Sequence, residues 1–155
     1  MEALLAWLQA TSIAAAVRDS TPLTGTLSAV HLLGFTLVTG GAFVSNLRLL
    51  GILLPERSVL DVSRPATRGI AVGLLVSIAT GALLFAPRAT VASANPIFQI
   101  KMLLLASAAV FHFAVHRTVA RRPIATPVML RAVGGVGFLL WAGLALAGCA
   151  FILLE

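Results

Sequence analysis

The run Lys101–Arg117, KMLLLASAAVFHFAVHR, decides how this chain folds. Between its terminal cations only Ser107, His112 and His116 are polar. At 1.5 Å per residue, such a helix covers roughly 25 Å, most of a ~30 Å hydrocarbon core. Apolar residues from Ile97 extend it upstream, so a membrane span is predicted over 97–115. The question it raises is why so apolar a helix carries one lysine and two histidines.

The rest of the chain repeats the pattern. Hydrophobic residues make up 59% of it and charged residues 10%, with a mean hydropathy of +1.04, outside the range of soluble domains. Further spans are predicted over 24–47, 67–85 and 128–154, with Pro22, Pro65, Pro87, Pro96 and Pro127 punctuating them, because proline is tolerated in a first turn but stops a helix from continuing. The fold class is therefore all-α: a single integral membrane four-helix bundle over residues 1–155. Residues 1–20, with Trp7 and several leucines, read as a helix lying in the membrane interface.

The net charge of +6 orients the chain; it does not point to nucleic acid. Arg48, Arg57, Arg64 and Arg68 surround the first connection between spans, and Arg117, Arg121, Arg122 and Arg131 the third. The other side holds only Arg18, Arg88 and Lys101. The positive-inside rule then places both Arg-rich connections in the cytoplasm and both termini outside, in a multi-pass inner-membrane topology. The partners so implied are the lipid bilayer and other membrane subunits or copies of the chain. Cys149 has no second cysteine to pair with and reads as a small buried apolar residue. No phosphate loop, catalytic triad or zinc-protease motif is present, and no catalytic residue is assigned.

The chemistry resides in the stripes that face the bundle. His31, Gly34, Val38, Gly41, Ser45 and Arg48 recur at three- and four-residue intervals, and so lie along one face of the first span. Gly73, Ser77 and Gly81 form the stripe of the second span, and Gly134, Phe138, Trp141, Ala145 and Gly148 that of the fourth. In the third, Lys101 and His112 are separated by about 1100°, within ~20° of whole turns, and His116 is ~40° further round. All three are expected on one inward face.

Histidines inside a membrane bundle are candidate haem or metal ligands. His31 lies about 10 Å into its span and His112 about 22 Å into its own, and the two spans run the same way. That offset is too large for two imidazoles each ~2 Å from one metal. Level with His31 are Met102, a second candidate axial ligand, and Lys101, a candidate propionate anchor. His112 and His116, one turn apart, have a spacing that suits a metal or a second porphyrin. The competing assignment is structural: histidines bonding a neighbouring helix, Lys101 and Arg48 reaching to the headgroups, Met102 in the core, and His116 at the interface beside Arg117.

The segments WLQATSIAAAVRDS (7–20), HLLGFTLVTGGAFVSNLRLLG (31–51), TGALLF (80–85) and NPIFQIKMLLL (95–105) resemble a family of bacterial four-helix membrane proteins without a settled activity. His31 with Gly34 and Gly41, and Lys101 with His112, are more distantly similar to the haem-binding protoporphyrinogen IX oxidase family and to copper-resistance D-type membrane proteins. The resemblance implies that His31, Arg48, Lys101 and His112 handle haem b or a porphyrin. Asn46 stands where those relatives would carry an acid, and Cys149 where they would carry a base. Two expectations follow: a b-type-haem protein for electron transfer or porphyrin-linked redox chemistry, or a non-catalytic subunit packed against a larger membrane complex.

Overall fold

A computed structural model describes residues 2–122 and 126–153. Two short helices, α1 (Glu2–Gln9) and α2 (Ser12–Asp19), precede α3 (Thr21–Leu50) and α4 (Val59–Phe85). A 3₁₀ turn at Ala86–Arg88 leads into α5 (Ala89–Ala94). Next come α6 (Pro96–Ala120), which is π-helical over Phe111–His116, and α7 (Pro127–Leu153). No strand occurs among the described residues. Four helices are long and apolar enough to cross a membrane, as the composition requires.

Local chemistry sets the helix ends. The Ser20 hydroxyl accepts from the Leu23 N–H and Pro22 occupies the first turn, which starts α3 three residues before the predicted boundary. The helix ends at Gly51, whose φ of 79° permits its N–H to bond Arg48 O while the Ile52 N–H reaches Leu47 O. The Ser58 hydroxyl caps α4 through the Asp61 N–H at 3.1 Å. Pro65 therefore lies inside α4 and does not mark its start, a correction to the sequence reading. Asn95 caps α6 by accepting from the Ile97 N–H at 2.8 Å. The predicted 1–20 helix is two helices, broken where Thr11 accepts from the Ala14 N–H. Gln9 ties this segment to the α4–α5 corner, donating to Pro87 O and accepting from the Thr90 hydroxyl. Leu154, the predicted end of the fourth span, lies outside the described residues.

The burial pattern is inverted relative to a soluble bundle. Leu33, Leu75, Leu103, Leu139 and Leu146 all stand more than 60% exposed, whereas the buried core consists of Val38, Ala42, Ile70, Leu74, Ala108, Trp141 and Leu144. Large apolar side chains facing outward are what lipid as solvent selects. Cys149 is exposed, contrary to the buried role expected for it, because the inward face of its turn is taken by Gly148.

The four long helices pack α3 against α4 and α7, and α6 against α7. The α3–α4 contact is backbone on backbone. A Cβ at Gly34 would meet Gly73 O at 3.1 Å and Ser77 Oγ at 2.7 Å, and one at Gly73 would meet Gly34 O at 2.6 Å. Further along, a Cβ at Gly41 would come within 2.9 Å of Ala66 O. Gly73→Ala should therefore destabilise the protein by about 1–3 kcal/mol through overpacking. Gly25→Ala, where an added Cβ meets nothing within 4 Å, serves as its control. Thermal unfolding in detergent, followed by circular dichroism, checks this; equal midpoints for the two variants would refute the close crossing.

Candidate functional site

The bundle holds polar side chains at two heights. At the end away from the arginine clusters, His31 Nδ1 lies 3.0 Å from Thr80 Oγ1. The Thr80 hydroxyl donates to Val76 O at 2.7 Å, so its single proton is committed and its oxygen accepts from His31 Nδ1–H. The ring also hydrogen-bonds the Ser77 backbone, and donation from Nδ1 to Thr80 leaves the lone pair of a neutral ring on Nε2. His31 is half-buried, with its Cε1 3.1 Å from where a Cβ on Gly81 would stand.

The same end of the bundle holds a cation and several aromatic rings. The cation is Lys101 of α6. Its ammonium sits 5.6 Å from the centre of the Phe151 ring, a cation–π distance. Phe98 links Phe151, at 5.8 Å, to Phe85, stacked at 5.2 Å. On the α3 turn after His31, Phe35 Cζ is 3.8 Å from the position a Gly148 Cβ would take. All four long helices contribute, and none of His31, Phe35, Phe85, Phe98, Lys101 and Phe151 is fully covered.

The second cluster lies at the Arg-rich end and is closed. His112 Nε2 is 3.1 Å from Thr67 Oγ1 on α4, and His116 Nε2 is 3.2 Å from Ser45 Oγ on α3. The two rings stack at 4.6 Å with planes 25° apart, and the Trp141 ring of α7 meets His112 edge-on at 6.4 Å. His112, His116, Ser45, Asn46 and Trp141 are all essentially inaccessible. Thr36 and Thr39 donate to carbonyls one turn back in α3, as helical threonines do, but Thr67 and Ser45 have only the imidazoles as partners. Each contact ties the Nε2 edge of one imidazole to a hydroxyl on a neighbouring helix. Neither Nδ1 nor Trp141 Nε1 has a hydrogen-bond partner among the described residues. Asn46 donates from Nδ2 to Ala42 O at 2.7 Å, and its Oδ1 presses against Gly137 of α7, where no Cβ would fit.

These contacts sort the predicted residues. Lys101, His112 and His116 all turn towards the bundle, and the π-helical turn carries both histidines. His116 is buried, not interfacial as expected beside Arg117, because Ser45 of α3 takes its Nε2. His31 and His112 are far apart: their partners Thr80 and Thr67 are separated by about 20 Å along α4. Met102 is 40% exposed. Arg48 is half-buried and donates to the carbonyls of Pro55, at 3.2 Å, and Arg57, which clamps the α3–α4 connection. Among the described residues, no group of three or more His, Cys, Asp or Glu is placed to hold a metal. Sequence reasoning missed Thr67 and Thr80; a hydroxyl in an apolar span usually bonds its own helix, so neither stood out.

Residues 10–153 match a family described as being of unknown function, DUF6644. The chain belongs to this family. The matched stretch takes in α2 and all four long helices, so both polar clusters lie within what the family describes. No curated protein and no solved structure matches the chain.

The closed cluster should act on stability. His116→Ala leaves a cavity and an unsatisfied Ser45 hydroxyl, and should cost about 2–4 kcal/mol, whereas Met102→Leu should stay within about 1 kcal/mol. Denaturant titration of the purified variants measures both. A His116→Ala protein as stable as the parent would show that the stacked pair does not hold the helices.

Proposed function

We propose that the chain is a membrane haem-binding protein of the b type, serving electron transfer or porphyrin-linked redox chemistry, with His31 as the iron ligand. The observation that carries this reading is the His31–Thr80 hydrogen bond at 3.0 Å. A ligating histidine is normally oriented by a bond from its other ring nitrogen, and Thr80 provides that bond while leaving the lone pair of a neutral ring on Nε2.

The surrounding residues suit a flat, anionic tetrapyrrole. Lys101 supplies a cation for a propionate, held from the side by the Phe151 ring. Phe85, Phe98 and Phe151 give the ring system an apolar wall and keep the local dielectric low, which tunes a redox centre. Haem bound there supplies one-electron chemistry. Ligation by two histidines of one chain does not fit, since His112 and His116 lie about 20 Å away on the bundle axis and their Nε2 atoms are taken. His31 is thus the single histidine ligand from this chain, and Arg48, which holds a connection, has no part in the site. The orientation that places the His31 end outside and both termini with it rests on the arginine distribution.

A reduced-minus-oxidised spectrum of protein purified in detergent from cells supplied with haem tests the proposal, with a pyridine haemochrome assay for stoichiometry. The expected result is stoichiometric haem whose Soret band is lost in His31→Ala and retained in His112→Ala. A full-strength band in His31→Ala would remove His31 as ligand. A colourless protein that co-purifies at fixed ratio with another membrane protein would instead support the accessory-subunit reading.

A further inference from the structure

Beside the arginine-rich end, α3 and α4 part to leave an outward-facing groove of about 590 Å³. Its floor is formed by Gly40, Gly41, Ala66 and Gly69, and its walls include Leu37 and Val44. The glycines have different tasks. Gly41 is needed for the α3–α4 contact, but a Cβ added at Gly40 or Gly69 would meet nothing within 4 Å. Those two glycines keep a groove open, and no helix contact requires them.

The groove runs from Leu37 to Val44, about 10 Å of helix rise, roughly a third of a ~30 Å hydrocarbon core. The mouth is charged. Arg57 and Asp61 line it, and an adjoining depression is formed by Ser58, Asp61 and Arg64. All three charged side chains are exposed, and none is engaged in an ion pair among the described residues. An apolar slot lined at its charged end by one guanidinium and a carboxylate, with a second guanidinium in the adjoining depression, matches a molecule with an acyl tail, a phosphate and an ammonium.

We propose that this groove is a binding site for a zwitterionic aminophospholipid. One acyl chain lies over Gly40 and Gly69, the phosphate is bound by Arg57 and Arg64, and the primary ammonium by Asp61. Guanidinium groups are matched to phosphate oxygens, and an ammonium with N–H donors is matched to a carboxylate. A quaternary choline lacks those donors and a glycerol headgroup lacks the charge, so the site discriminates among phospholipids by the headgroup nitrogen.

Native mass spectrometry of the full chain, released from bilayer discs holding equal phosphatidylethanolamine, phosphatidylcholine and phosphatidylglycerol, tests this. Retained phosphatidylethanolamine should exceed each of the others roughly tenfold, the effect of one charge-assisted hydrogen bond. Asp61→Asn should erase that preference while leaving lipid bound. Gly69→Leu should abolish retention of all three with the thermal midpoint unchanged, since the added side chain enters open space. Equal retention of the three lipids by the parent protein would overturn the headgroup assignment, and undiminished retention by Gly69→Leu would overturn the groove. A second copy of the chain or another helix held in place of lipid, and lost in Gly69→Leu, would overturn the choice of occupant.

Discussion

The reciprocal approach of Gly34 and Gly73 is the contact on which the arrangement of the other side chains depends. In a hydrocarbon solvent, burying leucine between helices gains little, so association relies on close packing and on polar contacts between helices. Two glycines let the backbones of α3 and α4 meet, and Gly41 over Ala66 extends the same antiparallel register seven residues further on each helix. That register brings Thr80 to the height of His31 at one end. A slip of one turn, about 5.4 Å, would separate them and uncouple the α3 and α4 hydroxyls that receive the stacked histidines.

The two polar sites are built on opposite principles. At the closed site the histidines bond hydroxyls of neighbouring helices. Asn46 is instructive: its amide donates to its own helix and its oxygen fits over Gly137, an arrangement with no counter-ion for a carboxylate. An acid there would be a buried charge without a partner, which is costly in a low-dielectric layer. Asparagine in place of the acid is thus consistent with a node that joins helices. The open site has a histidine, a cation and half-covered aromatic rings. A half-covered histidine among aromatic rings gives a ligand room to approach, whereas side chains bonded to one another give a scaffold its rigidity.

Much of this was legible in the residues. The four spans, the inward stripes and the separation of His31 from His112 follow from counting at 1.5 Å and 100° per residue, because lipid leaves the backbone few alternatives to a helix. What counting cannot supply is which stripe residue meets which neighbour. Gly34 and Gly41 read equally well as room for a flat ligand or as a helix contact, and only the position of α4 shows that their space is filled by its backbone. Arg48 lies on the same stripe as His31 but on the last turn of α3, where the carbonyls of the connection reach it first. Pro65 misled for a related reason: a serine cap two turns upstream sets the start of α4, and local capping outweighed the proline.

The departure from regular geometry in α6 falls at the histidines, and the reason lies in their partners. Uniform α-helical pitch places His112 and His116 on one side but does not deliver their Nε2 atoms to hydroxyls on two different helices. The π-helical turn from Phe111 to His116 widens the backbone over that stretch, and there His112 reaches Thr67 of α4 while His116 reaches Ser45 of α3. A π turn is less favourable than the α turn it replaces and persists where side-chain contacts hold it. Here the contacts are two hydroxyl-to-imidazole bonds, a ring stack at 4.6 Å and the edge of Trp141. The irregular turn and the polar node therefore support each other. Restoring regular pitch would detach at least one histidine from its hydroxyl, and removing a hydroxyl would relax the reason for the turn.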